Sequence, residues 1–374
     1  MKILHVIPNL FKGGAQRLVI DICNEFINHK NHEVKIIALS TSKNYFAYDS
    51  KDLEIEYCDI KIELSLLKKN KINIDSYERV LDKFKPEVVH SHLYISELVT
   101  HEHPRKSIKY ITHFHDNISQ FSKLKFKSFF FKEKLTNFYE KKKVFNNYKK
   151  VSKVFVTISN DCHDYAKSVL PYRFFNKIEK LENAINHSLF SSKKIVTSSK
   201  KINLINVGNF IKKKNQAFLI DVVYYLKAMN FNVTMKLVGD GTCRKEVSTK
   251  IIALGLEDQI QIVGSVDNVQ DYLHESNCYI HSAFYEPFGL VLIEAMAAKI
   301  PIVSYNGRGN KDIIKNNETG FLINELDPKK FADAVIKLFE DKKLYDEIVE
   351  NAFNFSKNYD IKNYVSELIK IYNK

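Results

Sequence analysis

Residues 281–297 read HSAFYEPFGLVLIEAMA and hold two glutamates, Glu286 and Glu294, separated by seven residues. A Pro-Phe-Gly turn follows the first glutamate, and the apolar run after it predicts a helix over 290–299. Glu286 is therefore expected on a loop, and Glu294 about one turn into a helix. Because the free N–H groups at the start of a helix attract anions, the segment is predicted to bind an anion between two carboxylates.

A molecule with hydroxyl groups at both ends and phosphate in the middle suits this arrangement, and a nucleotide sugar has that layout. The plainer alternative is an ordinary loop and a buried helix with two solvated glutamates, which the apolar residues at 290–296 would allow. Glu294 argues against this alternative because it interrupts an otherwise apolar run.

The segment resembles the signature of the retaining glycosyltransferases of family 4, E-x-F-G-x-x-x-x-E-A-M-A, and every fixed position of that pattern is filled. The resemblance implies the α/β fold called GT-B, in which two Rossmann-like domains face a central cleft and a C-terminal helix crosses back to the first domain. It also implies that Glu294 binds the ribose and Glu286 the donor sugar. The donor-binding residues that it implies in this segment are Glu286, Phe288, Gly289, Leu290, Val291 and Glu294.

The length of 374 residues is large for one core and predicts two domains. In both halves short apolar runs alternate with amphipathic segments, which predicts parallel, doubly wound sheets. The predicted organisation is an N-terminal acceptor-side domain at 1–186, a Ser/Lys-rich linker at 187–201, a nucleotide-sugar-binding domain at 202–355, and a C-terminal helix at 356–374 that packs on the N-terminal domain.

Charge and cysteine usage narrow the class of protein. Lys and Arg number 57 against 44 Asp and Glu, a net charge of +13, which favours acidic partners unless the lysines are simply solvated. The five cysteines form no C-x-x-C pair, which favours reduced thiols. The first residues, MKILHVIPNL, are not typical of a signal peptide, and no apolar run has the length of a bilayer span. We therefore expect a cytoplasmic protein.

The loop at 205–216, INVGNFIKKKNQ, follows a predicted strand and resembles the family segment G-R-x-x-x-x-K-[GN], whose Arg and Lys hold the diphosphate. Lys214 occupies the Lys position, but Asn209 occupies the Arg position and brings no charge. Either the lysines at 212–213 compensate, or the diphosphate binds less tightly. Gly239 and Gly264 match positions that shape the nucleotide pocket, although a plain strand-to-helix turn is the alternative at the first of them.

The first half carries two further segments that resemble the family. Gly13 and Gly14 lie in PNLFKGGAQR, which matches the element G-G-A-[EQ]-R that approaches the donor phosphate and the acceptor. Residues 111–116, ITHFHD, match a strand-end histidine segment. By that match His115 faces the donor sugar, and it is the predicted catalytic residue together with Glu286.

Histidines recur in this half as His-x-His pairs, which lie on one face of a strand and could chelate a metal ion. The pairs are His90/His92, His101/His103 and His113/His115. No neighbouring Cys or Asp completes a ligand set, so no metal site is predicted, and histidines lining a cleft are the favoured interpretation.

The chain also lacks the Asp-x-Asp that usually holds a divalent ion on the diphosphate in the other large glycosyltransferase fold. Metal-independent transfer without a cofactor is therefore expected, with the nucleotide sugar as a substrate.

In the segment 121–153 lysines alternate with aromatic residues. This composition suits docking on an anionic membrane, packing of an amphipathic helix on its own domain or, less well, RNA binding. Many family members extend glycans on lipid carriers at the cytoplasmic leaflet, so the resemblance favours peripheral membrane contact and no nucleic acid.

The sequence thus predicts a retaining hexosyltransferase similar to bacterial capsular, O-antigen and exopolysaccharide enzymes. The expected donor is a nucleotide diphosphate sugar, most of all a UDP-sugar. The expected acceptor is a hydroxyl of a glycan or lipid-linked oligosaccharide. The alternatives are a sugar-nucleotide epimerase of the same fold and a non-catalytic partner subunit, which Asn209 would favour.

Overall fold

A computed structural model of the chain describes residues 1–28, 31–40, 52–63, 71–121, 132–191 and 201–374. These residues form two compact units: one contains residues 1–182 together with 364–374, and the other contains residues 183–363. None of the helices in these ranges is long and apolar enough to span a membrane.

The first unit is built on a parallel sheet that has seven strands among the described residues. Short apolar runs form these strands because both faces of a parallel sheet are covered by helices. In chain order the strands are β1 (Lys2–Ile7), β2 (Glu33–Ala38), β3 (Ile55–Tyr57), β6 (Val88–His92), β7 (Lys109–Phe114), β8 (Lys153–Thr157) and β9 (Ile178–Lys180). Their order across the sheet is β3-β2-β1-β6-β7-β8-β9, and β4 (Ile62–Glu63) pairs with β5 (Lys71–Ile72) in a separate antiparallel ribbon.

Helices connect these strands as expected for a doubly wound fold. They are α1 (Gly14–Asn28), α2 (Asp75–Phe84), α3 (Leu93–Thr100), α4 (Lys132–Tyr148) and α5 (Asn160–Val169). Single 3₁₀ turns cover 119–121 and 172–177.

The second unit repeats the architecture with a parallel sheet of order β12-β11-β10-β13-β14-β15. Its strands are β10 (Ile202–Val207), β11 (Val233–Val238), β12 (Ile260–Gly264), β13 (Cys278–His281), β14 (Ile302–Tyr305) and β15 (Phe321–Ile323). Its helices are α6 (His187–Ser191), α7 (Gln216–Ala228), α8 (Arg244–Ala253), α9 (Val269–His274), α10 (Leu290–Ala297), α11 (Asn310–Ile313), α12 (Pro328–Glu340) and α13 (Lys342–Ser356). Further 3₁₀ turns cover 212–214 and 357–359.

The last helix, α14 (Ile361–Asn373), begins in the second unit and ends in the first. Its apolar stripe is buried, with Val365 and Leu368 fully covered and Tyr364 and Tyr372 each 3% exposed. The Lys109 Nζ donates to the Tyr372 carbonyl at 2.8 Å, which ties the helix end to β7. The predicted C-terminal helix that returns to the first domain is confirmed.

The two parallel, doubly wound sheets predicted from the sequence are also confirmed. One expectation changes at the segment between them. Residues 187–191, expected as part of a linker, form α6, which buries the side chains of His187 and Phe190. The rest of that predicted linker, residues 192–200, lies outside the described residues.

A buried ion pair lies in the core of the first unit. The Lys153 Nζ is 3.0 Å from the Glu97 Oε2, and both side chains are 1% exposed. Burial raises the pKa of Glu97, and burial lowers the pKa of Lys153 to about 8. The Thr112 hydroxyl donates to the same carboxylate at 2.7 Å, and Lys153 also donates to the His101 Nε2 at 2.7 Å. His101 therefore belongs to this pair's surroundings, while His103 is exposed.

Candidate donor-binding site

The second sheet changes direction between β10 and β13, because the chain runs outward through β11 and β12 and then returns to the other side of β10. In open parallel sheets, ligands bind outside the carboxyl ends of the strands at such a switch point. The loop after β10 carries Lys214, and the loop after β13 carries Glu286. The sequence-predicted diphosphate ligand and sugar ligand therefore meet at the switch point, where their side chains form an ion pair.

Two backbone hydrogen bonds join Glu286 to the loop after β14. Its N–H donates to the Gly307 carbonyl at 2.9 Å, and its carbonyl accepts from the Gly309 N–H at 3.0 Å. A Cβ at Gly309 would lie 2.3 Å from the Glu286 carbonyl oxygen, so only glycine fits there. The loop after β14 thus holds Glu286 in place.

The Glu286 carboxylate is buried and ionised. Burial raises its pKa, but the positive charge of Lys214 and the neighbouring His281 outweigh that effect and bring the pKa to about 2. The His281 Nε2 lies 3.5 Å from the Glu286 Oε2. Burial lowers the pKa of His281, so this ring is neutral at physiological pH. Lys214 and Glu286 are 18% and 10% exposed, which leaves the pair a small opening to solvent.

The helix behind Glu286 begins at a left-handed glycine. Gly289 has φ 94°, and a Cβ there would lie 2.9 Å from the Leu292 Cδ1 and 3.2 Å from the Glu286 Cγ. The turn therefore requires glycine and sets the start of α10 directly behind the carboxylate. The N–H groups of its first turn, which includes Leu290 and Val291, lie at the positive end of the helix dipole.

The remaining predicted residues of this segment are largely buried. Glu294 lies in the second turn of α10, is 9% exposed and is surrounded in sequence by fully buried apolar residues. Phe288 is 2% exposed, and its ring centroid lies 5.8 Å from that of Tyr359. The side chain of Phe288 therefore supports the turn by packing.

Two predicted glycines adjoin each other at the carboxyl ends of neighbouring strands. The Gly239 N–H donates to the Gly264 carbonyl at 2.7 Å, and the Gly208 N–H donates to the Val238 carbonyl at 2.9 Å. A Cβ at Gly239, where φ is 136°, would lie 2.1 Å from the Gly208 carbonyl oxygen. The absence of side chains lets the ends of β10, β11 and β12 approach closely beside the ion pair.

Asn209 lies at the exposed end of the same loop, where its backbone carbonyl accepts from the Gln216 Nε2 at 3.1 Å. The loop is joined to β13 by Ser282, whose hydroxyl lies 3.0 Å from the Lys214 carbonyl and 2.9 Å from the Asn215 carbonyl. Sequence analysis assigned no role to Ser282. The feature that could have pointed to Ser282 is its position one residue after the end of β13, where ligand-binding side chains of a parallel sheet lie.

Arg308 is a second residue that sequence analysis did not assign. Its backbone pairs with that of Glu286, and its φ of 65° places a non-glycine residue in the left-handed region. The Arg308 guanidinium lies 5.8 Å from the centre of the Tyr285 ring, and the Lys213 Nζ lies 5.8 Å from the same ring. Two cations therefore adjoin the loop that carries Glu286.

In the first unit the predicted residues follow the carboxyl ends of β1 and β7. Gly13 directly precedes α1, which begins at the exposed Gly14, and the Gly13 carbonyl accepts from the Arg17 N–H at 2.9 Å. His115 comes one residue after β7 and is 8% exposed. Its Nε2 lies 2.9 Å from the Nδ1 of His92, and burial lowers its pKa to about 3, so the ring is neutral.

Comparison with known proteins agrees with this architecture. Residues 12–189 match the family model described as Glycosyltransferase Family 4, and residues 189–355 match the one described as Glycosyl transferases group 1. The crystal structure of Anabaena HepE in complex with UDP and glucose superimposes with a TM-score of 0.80 over 100% of both chains, at 16% identity. The chain is a glycosyltransferase with the GT-B fold.

Relatives of this glycosyltransferase match it over the full length. The capsular polysaccharide biosynthesis glycosyltransferase CapH of Staphylococcus aureus is 26% identical over 401 aligned positions, which cover 100% of this chain and 98% of CapH. The α-1,4-N-acetyl-D-galactosaminyltransferase of Campylobacter jejuni that acts on a diNAcBac-PP-undecaprenol glycan is 24% identical over 387 positions, 99% of this chain and 98% of that one. The structure of WaaG, a glycosyltransferase involved in lipopolysaccharide biosynthesis, has a TM-score of 0.72 at 16% identity and covers 99% of both chains.

Proposed function

We propose that this glycosyltransferase moves a hexose from a UDP-sugar to a hydroxyl of a glycan or lipid-linked oligosaccharide, with retention of the anomeric configuration, in surface polysaccharide synthesis. The observation that carries the proposal is the partly buried ion pair of Lys214 and Glu286 at the switch point, directly before the start of α10. A lysine and a helix N-terminus suit a diphosphate, and an ionised carboxylate suits sugar hydroxyls.

In this proposal the ion pair keeps the site ready for the donor. When a nucleotide diphosphate arrives, Lys214 turns to its phosphate oxygens together with the N–H groups of Gly289, Leu290 and Val291. The Glu286 carboxylate is then free to accept hydrogen bonds from the sugar, while Glu294 binds the ribose. Gly239 and Gly264 leave room for the nucleotide, and no metal ion is needed at the diphosphate because these groups supply the positive potential.

Transfer then follows front-face attack. The acceptor oxygen forms a bond to the anomeric carbon on the side from which the diphosphate leaves, the bond from that carbon to the phosphate oxygen breaks, and the leaving phosphate takes the acceptor proton. The first unit contributes the backbone of the Gly13-Gly14 loop and the neutral His115, which acts as a hydrogen-bond partner of the donor sugar. No protein nucleophile is required.

Two measurements test the proposal. First, UDP at a hundredfold over its dissociation constant should stabilise the protein by about 2.7 kcal/mol. GDP and ADP at the same concentration should stabilise it by less. Second, UDP-glucose, UDP-galactose and UDP-N-acetylglucosamine are offered with polyprenyl-diphosphate glycans in the presence of EDTA, and the product's anomeric configuration is read by NMR.

Two substitutions separate the roles of the ion-paired residues. Glu286→Gln should reduce transfer by roughly 10²- to 10³-fold with UDP binding retained, and Lys214→Gln should weaken UDP binding itself.

Each contrary outcome points to a different conclusion. Absence of any nucleotide-induced stabilisation would overturn the donor site. UDP binding without transfer to any acceptor would favour a non-catalytic partner subunit, the alternative suggested by Asn209. Release of a free sugar without an acceptor would favour the epimerase.

We also propose that α4 docks on an anionic membrane surface. Its residues Lys134, Phe138 and Lys142 recur at a spacing of four and are exposed, and Phe138 is 48% exposed. A basic and aromatic stripe of this kind suits anionic lipid headgroups. The opposite side of α4 packs on its own unit through Val144 and Tyr148. This packing is what the alternative interpretation, an amphipathic helix on its own domain, predicts. Residues 122–131 of the predicted basic segment lie outside the described residues.

A further inference from the structure

Five histidines of the first unit gather on one face of its sheet. The strand register places His5 of β1 opposite His90 of β6, and His92 of β6 opposite His113 of β7. Side chains two residues apart on a strand share a face, so His115 joins the same group. All five rings are buried, with exposures between 0% and 8%. The sequence shows two of the His-x-His pairs and the single His5 far apart, and only the strand order unites them.

The rings contact one another directly. The His5 Nδ1 lies 2.9 Å from the His92 Nε2, and the His92 Nδ1 lies 2.9 Å from the His115 Nε2. Ring centroids are 4.2 Å apart for His90 and His92, and 4.1 Å apart for His113 and His115. The cluster is therefore a continuous group of imidazoles inside the unit.

Half of the ring nitrogens in this cluster lack a hydrogen-bond partner within the described part of the chain. They are the His5 Nε2, the His90 Nε2, both nitrogens of His113 and the His115 Nδ1. Burying a polar atom without a partner carries a desolvation cost, so unpaired buried groups call for an explanation. A metal ion that accepts a nitrogen lone pair would provide a partner for one of them, the His90 Nε2.

We propose that His5, His90 and His92 bind a divalent transition metal ion, with Zn²⁺ as the expected ion. One nitrogen from each of these rings lies within 4.8 Å of the other two. Ligand nitrogens in a tetrahedral zinc site are about 3.3 Å apart, so small ring rotations would close the set. Imidazole nitrogens suit Zn²⁺, Cu²⁺ and Ni²⁺, and three protein ligands leave one position for water. This site departs from the sequence-based expectation of no metal.

The neighbours of the three rings fit the second layer of a metal site. Metal-bound histidines usually donate their other ring N–H to a fixed partner. The His90 Nδ1 lies 2.6 Å from the Tyr372 hydroxyl, which leaves its Nε2 for the ion. The His92 Nδ1 is held by the His115 Nε2, which leaves the His92 Nε2 for the ion. The ion would replace the hydrogen bond between His92 and His5.

A second set of rings, His92, His113 and His115, also has nitrogens within 4.8 Å. It shares His92 with the first set, so the two are alternatives. The first set is favoured because its three rings are fully buried and because Tyr372 orients His90. His113 has no hydrogen-bond partner among the described residues that would orient its ring.

The bound ion would act as a structural link. It would join β1 to β6, the strands on either side of the switch point of the first sheet, and through Tyr372 it would reach the end of α14. This role is separate from the donor diphosphate, which is proposed to need no metal, so the two proposals can fail independently.

Metal content of the untagged full-length chain tests the inference. The protein is refolded with Zn²⁺ or Co²⁺, dialysed and analysed by mass spectrometry for the metal. Wild type should retain about one ion, and the Co²⁺ form should show the visible absorption of a tetrahedral site. His90→Gln should lower the content to background. The matched control, His113→Gln, removes a neighbouring histidine of the same cluster and should retain the ion.

Two results would overturn the assignment: wild type that retains no ion, or loss of the ion in His113→Gln with retention in His90→Gln. If His90→Gln does not fold, Tyr372→Phe keeps all three ligands and should weaken metal affinity by roughly 10- to 100-fold. Unchanged affinity in that variant would contradict the arrangement. UDP binding measured in parallel shows whether the donor site is intact.

Discussion

Besides Lys214, a second cation next to the loop that carries Glu286 comes from Arg308, a residue outside the family pattern. Asn209 leaves the usual arginine position uncharged, while Arg308 pairs with the Glu286 backbone from the loop after β14. Arg308 adopts the left-handed region, which is costly for a residue with a side chain. Such strain at a site held by neighbouring glycines is consistent with a functional role, and we infer that Arg308 replaces the missing charge.

Replacing Arg308 tests this compensation. Arg308→Gln should weaken UDP binding by roughly 10- to 100-fold, because a hydrogen bond to a charged group contributes roughly 1.5–3 kcal/mol. Isothermal titration calorimetry measures the affinity. The control Lys315→Gln removes one positive charge from an exposed pair with Glu318 and should leave binding unchanged. Equal UDP affinities for the wild type and Arg308→Gln would show that the arginine does not contact the diphosphate.

Glu286 should make the folded state sensitive to acid. Its pKa falls from 4.5 to about 2 on folding, so the ionised group stabilises the fold above pH 4.5, and that stabilisation is lost as the pH falls through 2. The stabilisation amounts to at most about 3 kcal/mol. Denaturant unfolding at several pH values should show wild type more stable than Glu286→Gln at pH 7, with the difference shrinking below pH 4.5. A difference that stays constant between pH 7 and pH 3 would refute the shifted pKa.

At the residue scale the sequence predicts groups that a continuous motif carries and misses those that only the sheet brings together. Lys214 and Glu286 were both predicted, each from its own loop pattern. Arg308 was not, because its contact with Glu286 depends on the pairing of β13 with β14. The histidine cluster was missed for the same reason, since β1 and β6 become neighbours only through the crossover.

At the scale of elements, the strands of four or more residues coincide with the short apolar runs from which the parallel sheets were predicted, because a buried parallel strand is a continuous apolar run. The strands β3, β9 and β15 have three residues each, too few to show any period, and were not predicted. Their edges are fixed by pairing with the neighbouring strand, which is a property of the sheet and not of the segment.

The helix α4 combines a packed side with an exposed basic and aromatic side, and the exposed side should determine membrane affinity. Phe138→Ser removes a half-exposed ring, whose partial burial in lipid should contribute about 1 kcal/mol. Co-sedimentation with phosphatidylserine vesicles should therefore show roughly fivefold weaker binding. Tyr172→Ser removes a more exposed aromatic residue from the 3₁₀ turn of the same unit and serves as the control. An equal effect of the two substitutions would argue against docking through α4.

At the scale of the molecule, the first unit is completed by a segment far away in sequence. Residues 364–374 belong to it although they follow the whole second unit. Two of the side chains they contribute, Tyr372 and Leu368, are almost fully buried. The sequence predicted a returning helix only through the family resemblance, since the apolar period of α14 shows that one face is covered but not which surface covers it.

Deletion of 364–374 should therefore unfold the first unit selectively. The deletion removes several buried side chains, each contributing roughly 1.5–3 kcal/mol, and together these rival the 5–15 kcal/mol of a whole domain. Limited proteolysis with fragment identification should show cleavage throughout residues 1–182, while 183–363 stays resistant. Deletion of residues 373–374 alone removes an exposed ion pair between Lys374 and Glu179 and should change stability by less than about 1 kcal/mol. If the longer deletion left the first unit resistant, the buried face of α14 would be dispensable, and the first sheet would be stable without its C-terminal helix.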